Sequence, residues 1–143
     1  MRLESYKGAG MMLFGSRNGR FEVLLGKRSV KHGYGKWAIP GGKMEKKDNT
    51  FFDCAVRELK EETGIDIYTI NHKVVDSRNI SVPYFHWSTF LVYVSGPLPT
   101  LVPSEFSELK WIPVEDVKKY DLWIKLKKEL HIIQKMEVDH EKK

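Results

Sequence analysis

Arg57-Glu58-Leu59-Lys60-Glu61-Glu62-Thr63-Gly64-Ile65 is the stretch on which the reading of this chain turns. Its acids stand at i, i+3 and i+4, so at about 100° per residue Glu58, Glu61 and Glu62 share one arc of a helix. Upstream, Phe52, Ala55, Val56 and Leu59 fall at i, i+3, i+4 and i+7 on a neighbouring arc. The spacing predicts a helix over 50–63 with one apolar side and one carboxylate side. Asp48, Asn49 or Thr50 caps its start, and Gly64 stops it by accepting the left-handed conformation that ends many helices.

Carboxylates crowded on one arc repel one another unless a cation lies among them, and hard divalent ions such as Mg²⁺ accept carboxylate oxygens. An acidic helix face by itself more often serves only to solvate a helix. Here the context points to chemistry. Arg57 stands four residues before Glu61, where it can orient that carboxylate, Gly64 ends the helix just after the acids, and Pro40-Gly41-Gly42 precedes it across a short loop.

Outward from this segment the chain alternates short elements. Residues 8–14 and 21–27 read as strands joined through Gly-Ser-Arg-Asn-Gly-Arg, a hairpin by its turn residues. A glycine-rich connection leads to a strand at 37–39 that Pro40 ends. Residues 65–75 and 84–94 are rich in Ile, Val, Tyr, Phe and Thr and read as strands, followed by a Pro-containing loop over 96–105 and a short strand at 109–112. From Val114 onward the pattern turns helical and amphipathic, with Leu122, Ile124, Leu126, Leu130, Ile132 and Ile133 apolar and Lys125, Lys127, Lys128 and Glu129 facing water. These elements predict an α/β sandwich with a mixed sheet between helices.

The 143 residues, 41% of them hydrophobic, suffice for one domain with a real core, expected over 1–138 with a frayed tail at 139–143. The apolar run 11–14 is too short for a signal-peptide core or a membrane span, and Cys54, the single cysteine, lacks a companion for a disulfide or a CxxC site. The expected address is the cytosol. A net charge of +5 suits an anionic ligand, yet the cations are interleaved with 19 acids and form no block, which argues against a dedicated nucleic-acid face.

With these residues in view, the stretch 42–65 resembles the Nudix box: a glycine, a run to an acid, then Arg-Glu-hydrophobic-x-Glu-Glu-x-Gly-hydrophobic. Residues 57–65 match every fixed position, and the preceding Pro-Gly-Gly-Lys is typical of the family. The box covers about a sixth of the chain, and the flanking order of strands and helices fits the Nudix fold. One departure lies in the loop. It is one residue longer than the usual pattern and carries Asp48 where the family has glutamate, so the supporting acid is either Asp48 on an altered path or Glu45.

The resemblance implies metal-dependent hydrolysis of a nucleoside diphosphate linked to another group, with Mg²⁺ as cofactor and Mn²⁺ as a substitute. It makes Glu61 and Glu62 metal ligands, Glu58 a ligand or base, and the Gly41 carbonyl a further ligand. Glu105, then Glu108, are the downstream acids placed to complete the site. Arg28, with Gly42 beside the acids and Arg78 further on, is expected to meet the substrate.

A (deoxy)nucleoside triphosphate, giving monophosphate and pyrophosphate, is the leading substrate. ADP-ribose or another sugar nucleotide is the runner-up, with Pro83 near the place where relatives specific for ADP-ribose carry a proline. A nucleotide-sensing module without chemistry and an RNA-processing enzyme are the other readings, and a homodimer is an expected assembly. Tyr34, Trp37, Tyr84, Phe85 and Trp87 read first as core aromatics and second as base-stacking groups. His32, His72 and His86 lack metal-ligand spacing.

Overall fold

The computed structural model describes residues 5–29, 35–102 and 106–141. The central strand β1, Tyr6–Arg17, pairs in parallel with β6, Phe85–Val94, along one edge. Along its other edge it forks. Gly8, Ala9 and Gly10 pair with β4, Gly41–Lys43, while residues 14–17 pair with β2, Arg20–Arg28. Strand β2 carries β3, Trp37–Ala38, and β7, Phe106–Pro113, and the edge strand β5, His72–Val82, lies outside β6. Asn18 and Gly19, at φ of 54° and 79°, form the two-residue turn of the β1–β2 hairpin, a left-handed pair that suits the twist of its strands.

The centre of the sheet is buried on both sides, and the alternation along β1 shows how. Ala9, Met11 and Leu13 face helix α1, Phe51–Thr63, where they pack with Cys54, Ala55 and Leu59. Met12 and Phe14 point the other way, into a second core with Leu126 and with Ile133 of α2, Lys127–Glu141. Each of the Met, Leu, Ile and Phe side chains among them contributes roughly 1.5–3 kcal/mol by leaving water. The predicted α/β sandwich with a mixed sheet between helices is therefore the observed architecture. No helix among the described residues is long and apolar enough to cross a membrane.

Three elements differ from the sequence reading. The strand expected at 65–75 begins at His72, because Asp66 caps a single 3-10 turn, Ile67–Thr69, and it runs on to Val82 through the polar Ser77, Arg78 and Asn79. The helix expected from Val114 is a short 3-10 turn, Val114–Lys119, then an extended segment, and α2 starts only at Lys127. Gly41 and Gly42, read with Pro40 as the end of a strand, themselves form β4 with Lys43. Helix α2 also continues through Glu141, so it takes in 139–141 of the segment expected to fray.

Candidate functional site

Local sequence builds the acidic helix. Thr50 is the N-cap: its hydroxyl accepts from the Asp53 N–H at 3.0 Å while the Asp53 carboxylate accepts from the Thr50 N–H at 3.2 Å, so two otherwise orphaned donors are satisfied reciprocally. Gly64, at φ 78°, closes the other end by donating to the Lys60 carbonyl at 2.9 Å. Between these caps the helix faces β1 and β4, which brings Glu58 and Glu62 onto the glycine loop.

That loop and the acids fit each other closely. Glu62 is only 4% exposed, and its carboxylate accepts from the Gly41 N–H at 2.8 Å. The Glu58 carboxylate crowds the place a Cβ on Gly42 would take, its atoms 2.6–2.8 Å from that position, so a side chain there would push the carboxylate aside. Gly41 is equally confined, against the Ala9 carbonyl and Gly10 at 2.7 Å. The two glycines thus let β4 lie on β1 with the acids directly against its backbone.

Arg57 organises the rest. Its Nε and Nη2 donate to Asp48 at 2.8–3.2 Å, its Nη1 donates to Glu58 at 3.0 Å and to Glu61 at 3.2 Å, and Nη2 also reaches the Lys43 carbonyl at 3.0 Å. The planar guanidinium, with five donors, can serve these partners at once where an ammonium could not. Hydrogen bonding to Arg57 holds the Asp48 carboxyl below the usual carboxylate range, and the same contacts push the Arg57 pKa up.

Asp48 therefore takes the supporting place left open between it and Glu45. Its side chain is 4% exposed and also accepts from the Glu45 N–H at 2.9 Å, which shows the altered loop path that brings a shorter acid to the arginine. Glu45 approaches Arg57 at 3.3 Å from a half-exposed position. Cys54 is fully buried behind this loop, its Sγ 3.5 Å from the Gly42 carbonyl, and burial pushes its thiol up to about 11.

On the other side of Gly41 and Gly42 opens a cleft of about 290 Å³. Tyr6, Phe85, Trp87 and Trp123 supply its aromatic walls, and Arg28, Lys125 and Glu129 its charged groups. Tyr6 and Phe85 stack at 5.5 Å with 12° between their planes, and the Arg28 guanidinium lies 5.3 Å from the centre of the Trp123 ring. Trp123 is brought here by backbone pairing: Trp37 N–H donates to the Asp121 carbonyl and Trp123 N–H to the Trp37 carbonyl, both at 2.8 Å. The Tyr6 hydroxyl is pushed up by burial and by the charges of Cys54 and Glu58, against a smaller pull from Arg28.

The expected residues divide as follows. Arg57, Glu58, Glu61, Glu62, Gly41 and Gly42 come together, and Arg28 joins them across the cleft. Arg78 lies outside this cleft, on β5. Glu108 is paired with Lys110 at 2.9 Å on β7, and Glu105, with His32 and Tyr34, lies outside the described residues. Of the aromatics, Trp37 is core at 8% exposure, Tyr84 is exposed at a turn, and Phe85 and Trp87 line the cleft. Sequence reasoning missed Tyr6 and Trp123, which carry no local signal of a site.

Glu58, Glu61 and Glu62 offer hard oxygen donors from one helix, and this donor chemistry fits a divalent cation. Among the described residues no three acid, histidine or cysteine side chains converge into a finished cage. Glu58 and Glu61 are drawn to Arg57 while Glu62 turns to Gly41.

Comparison with known proteins adds to this geometry. A family model described as NUDIX domain matches residues 6–131. The chain is 32% identical over 121 residues to the ADPR responsive transcriptional repressor NtrR of Acinetobacter baylyi, covering 78% of this chain and 46% of that protein. It is 33% identical over 100 residues to the putative nudix hydrolase 1 of Caenorhabditis elegans, covering 68% of this chain and 26% of that one. The chain thus spans less than half the length of these relatives. Among solved structures it is similar to a Nudix hydrolase of M. smegmatis, RenU, with a TM-score of 0.74 at 21% identity, over 96% of this chain and 87% of that one. It is also similar to the NUDIX domain of Shewanella oneidensis NrtR complexed with ADP ribose, with a TM-score of 0.64 at 19% identity, over 85% and 80%. These two likenesses speak to the fold.

Proposed function

Since the chain belongs to the Nudix family, we propose that it hydrolyses the diphosphate linkage of a nucleotide, with its base and sugar in the aromatic cleft and its phosphates over the acidic helix. The observation that carries this reading is the shared loop: Gly41 and Gly42 line the cleft on one side and touch Glu62 and Glu58 on the other. A nucleotide entering the cleft would reach the carboxylates within the length of its own phosphate chain.

Attack of water on phosphorus needs a base, a fixed geometry and a counter to the negative charge of the phosphates. Bound Mg²⁺, or Mn²⁺ in its place, lowers the pKa of water and neutralises phosphate oxygens. Glu58, Glu61 and Glu62 would hold it, with the Gly41 carbonyl beside them. Arg57 fixes the rotamers of Glu58 and Glu61, the two carboxylates available to take the proton, and so acts as a positioning residue. Arg28 meets the phosphates from across the cleft, and Trp123 and Phe85 stack on the base.

We place (deoxy)nucleoside triphosphates first among substrates. The aromatic walls of the cleft suit a base with its sugar, which is all that a triphosphate asks of it. ADP-ribose is the second reading, favoured by a relative named as ADPR responsive and by a structural neighbour complexed with ADP ribose. A magnesium-dependent substrate panel with product identification decides. Pyrophosphate and monophosphate from triphosphates support the first, AMP with ribose phosphate the second. Tight nucleotide binding without turnover in Mg²⁺ or Mn²⁺ would mark a sensing module and overturn the enzymatic reading.

A further inference from the structure

A second groove lies beside the cleft, lined by Arg78 of β5 and by Lys127, Lys128, His131 and Ile132 of α2. No acid lines it, although the chain as a whole interleaves its charges. The two depressions are lined by neighbouring residues on both elements that form them. On β5, Ile80 lines the cleft and Arg78, two residues away and about 6–7 Å along the strand, lines the groove. On α2 and the segment before it, Lys125, Leu126 and Glu129 belong to the cleft, and Lys127, Lys128 and His131 to the groove. Arg78 is half-buried, which limits its freedom and gives the groove one cation anchored in the sheet beside the exposed lysines.

On the placement proposed above, the phosphates lie over the acidic helix, and the groove is a separate cationic depression lined from β5 and α2. Aromatic walls followed by a basic track form the combination that suits stacked bases joined by phosphates. We propose that this groove is a second phosphate subsite, one that receives a phosphate ester carried on the sugar of the nucleoside in the cleft. This rests on the placement of the nucleoside proposed above. The chemistry has two sources, a mononucleotide bearing a 3′-phosphate or the first internucleotide linkage of an RNA 5′ end, and the subsite serves either.

The test compares three probes with one base: the plain nucleoside triphosphate, its 3′-phosphorylated form and a 5′-triphosphorylated tetranucleotide. Binding is followed by fluorescence polarisation and turnover by product release, at several salt concentrations. The wild type should bind at least one of the two longer probes about tenfold more tightly than the plain triphosphate, and Lys127→Gln/Lys128→Gln should remove most of that gain and reduce the salt slope by about 1–2. The same variant should leave kcat/KM for the plain triphosphate unchanged, and Arg78→Gln, read by binding alone, should weaken the longer probes in the same way. A gain with the 3′-phosphorylated mononucleotide identifies a single phosphate as sufficient, and a gain confined to the tetranucleotide identifies an RNA end. Equal binding of all three probes, or equal losses in the variants, overturns the subsite. Groove-dependent binding without hydrolysis of any probe would keep the subsite and discard the catalytic reading, so the two fail separately.

Discussion

The loop and helix from Gly41 to Gly64 and the segment from Asp121 to Ile133 border the same cleft but are built by opposite means. In the first, the side-chain contacts of the helix and its loop join residues no more than 21 apart, from Thr50 with Asp53 and Arg57 with Glu61 to Asp48 with Arg57 and Glu62 with Gly41. In the second, Leu122 and Trp123 are held by Trp37, more than eighty residues earlier, through backbone pairing. On the proposed function the first region would carry the chemistry and the second the binding, so substitutions in the two should separate turnover from affinity.

The sharpest way to break that contrast is to neutralise the acids. Glu61→Gln or Glu62→Gln should cut kcat by about a thousandfold or more while unfolding temperature stays within a few degrees, as expected when an interaction made in the transition state is lost. Steady-state turnover at saturating magnesium, paired with thermal unfolding, checks both halves. Wild-type rates in both variants would remove the acids from the chemistry.

Next in size is Gly42→Ala, whose methyl would occupy the place of the Glu58 carboxylate. A displacement of about 1 Å at a reacting group costs on the order of a hundredfold in rate. A crystal structure of the variant should show Glu58 moved off the loop, and unchanged kinetics with Glu58 displaced would refute its role.

Asp48→Ala tests the support of Arg57 and should cost about 2–3 kcal/mol, since a nearly buried arginine loses its bidentate partner. The sign with pH follows from the lowered Asp48 pKa. Its contribution is fully present above the carboxyl's unfolded value of about 4 and fades as pH falls through the lower folded value. Urea unfolding should therefore show a wild-type advantage at pH 7 that shrinks below pH 4, whereas Asp48→Glu should keep part of it at pH 7. An advantage independent of pH would mean that Asp48 acts through packing.

The smallest effect is expected in the second region. Trp123→Ala should raise KM about tenfold with little change in kcat, the scale of one lost base-stacking contact. A fall in kcat alone would place Trp123 with the chemistry and erase the division between the regions.

The same division explains what was legible beforehand. The helix over 50–63, its stop at Gly64 and the company of Arg57 with Glu61 could be read because caps and i+4 spacings are local. Asp48 and Glu45 could not be told apart, since the choice depends on a loop path that puts the Glu45 N–H on the Asp48 carboxylate. Strand β4 was hidden because it is three residues long, two of them glycines paired with Ala9 and Gly10, and offers no apolar alternation. The late start of α2 was hidden for the opposite reason: Leu122 and Leu126 have helical spacing, yet Leu122 is spent on a bridge to Trp37. Edge strand β5 mixes polar and apolar residues around a bulge near Val74, so no period of two survived to be recognised. Trp123 reads as one more apolar residue until Arg28 is found beneath it.

The fork in β1 has a consequence for how this molecule tolerates change. Between β3 on one branch and β4 on the other, the chain crosses at Ile39 and Pro40, and Ile39 lines the cleft. That doorway is framed by main-chain ladders, which most side-chain replacements leave in place. Its decoration can be exchanged residue by residue while the opening keeps its shape, so new ligands are within reach of a few substitutions on an unmoved frame.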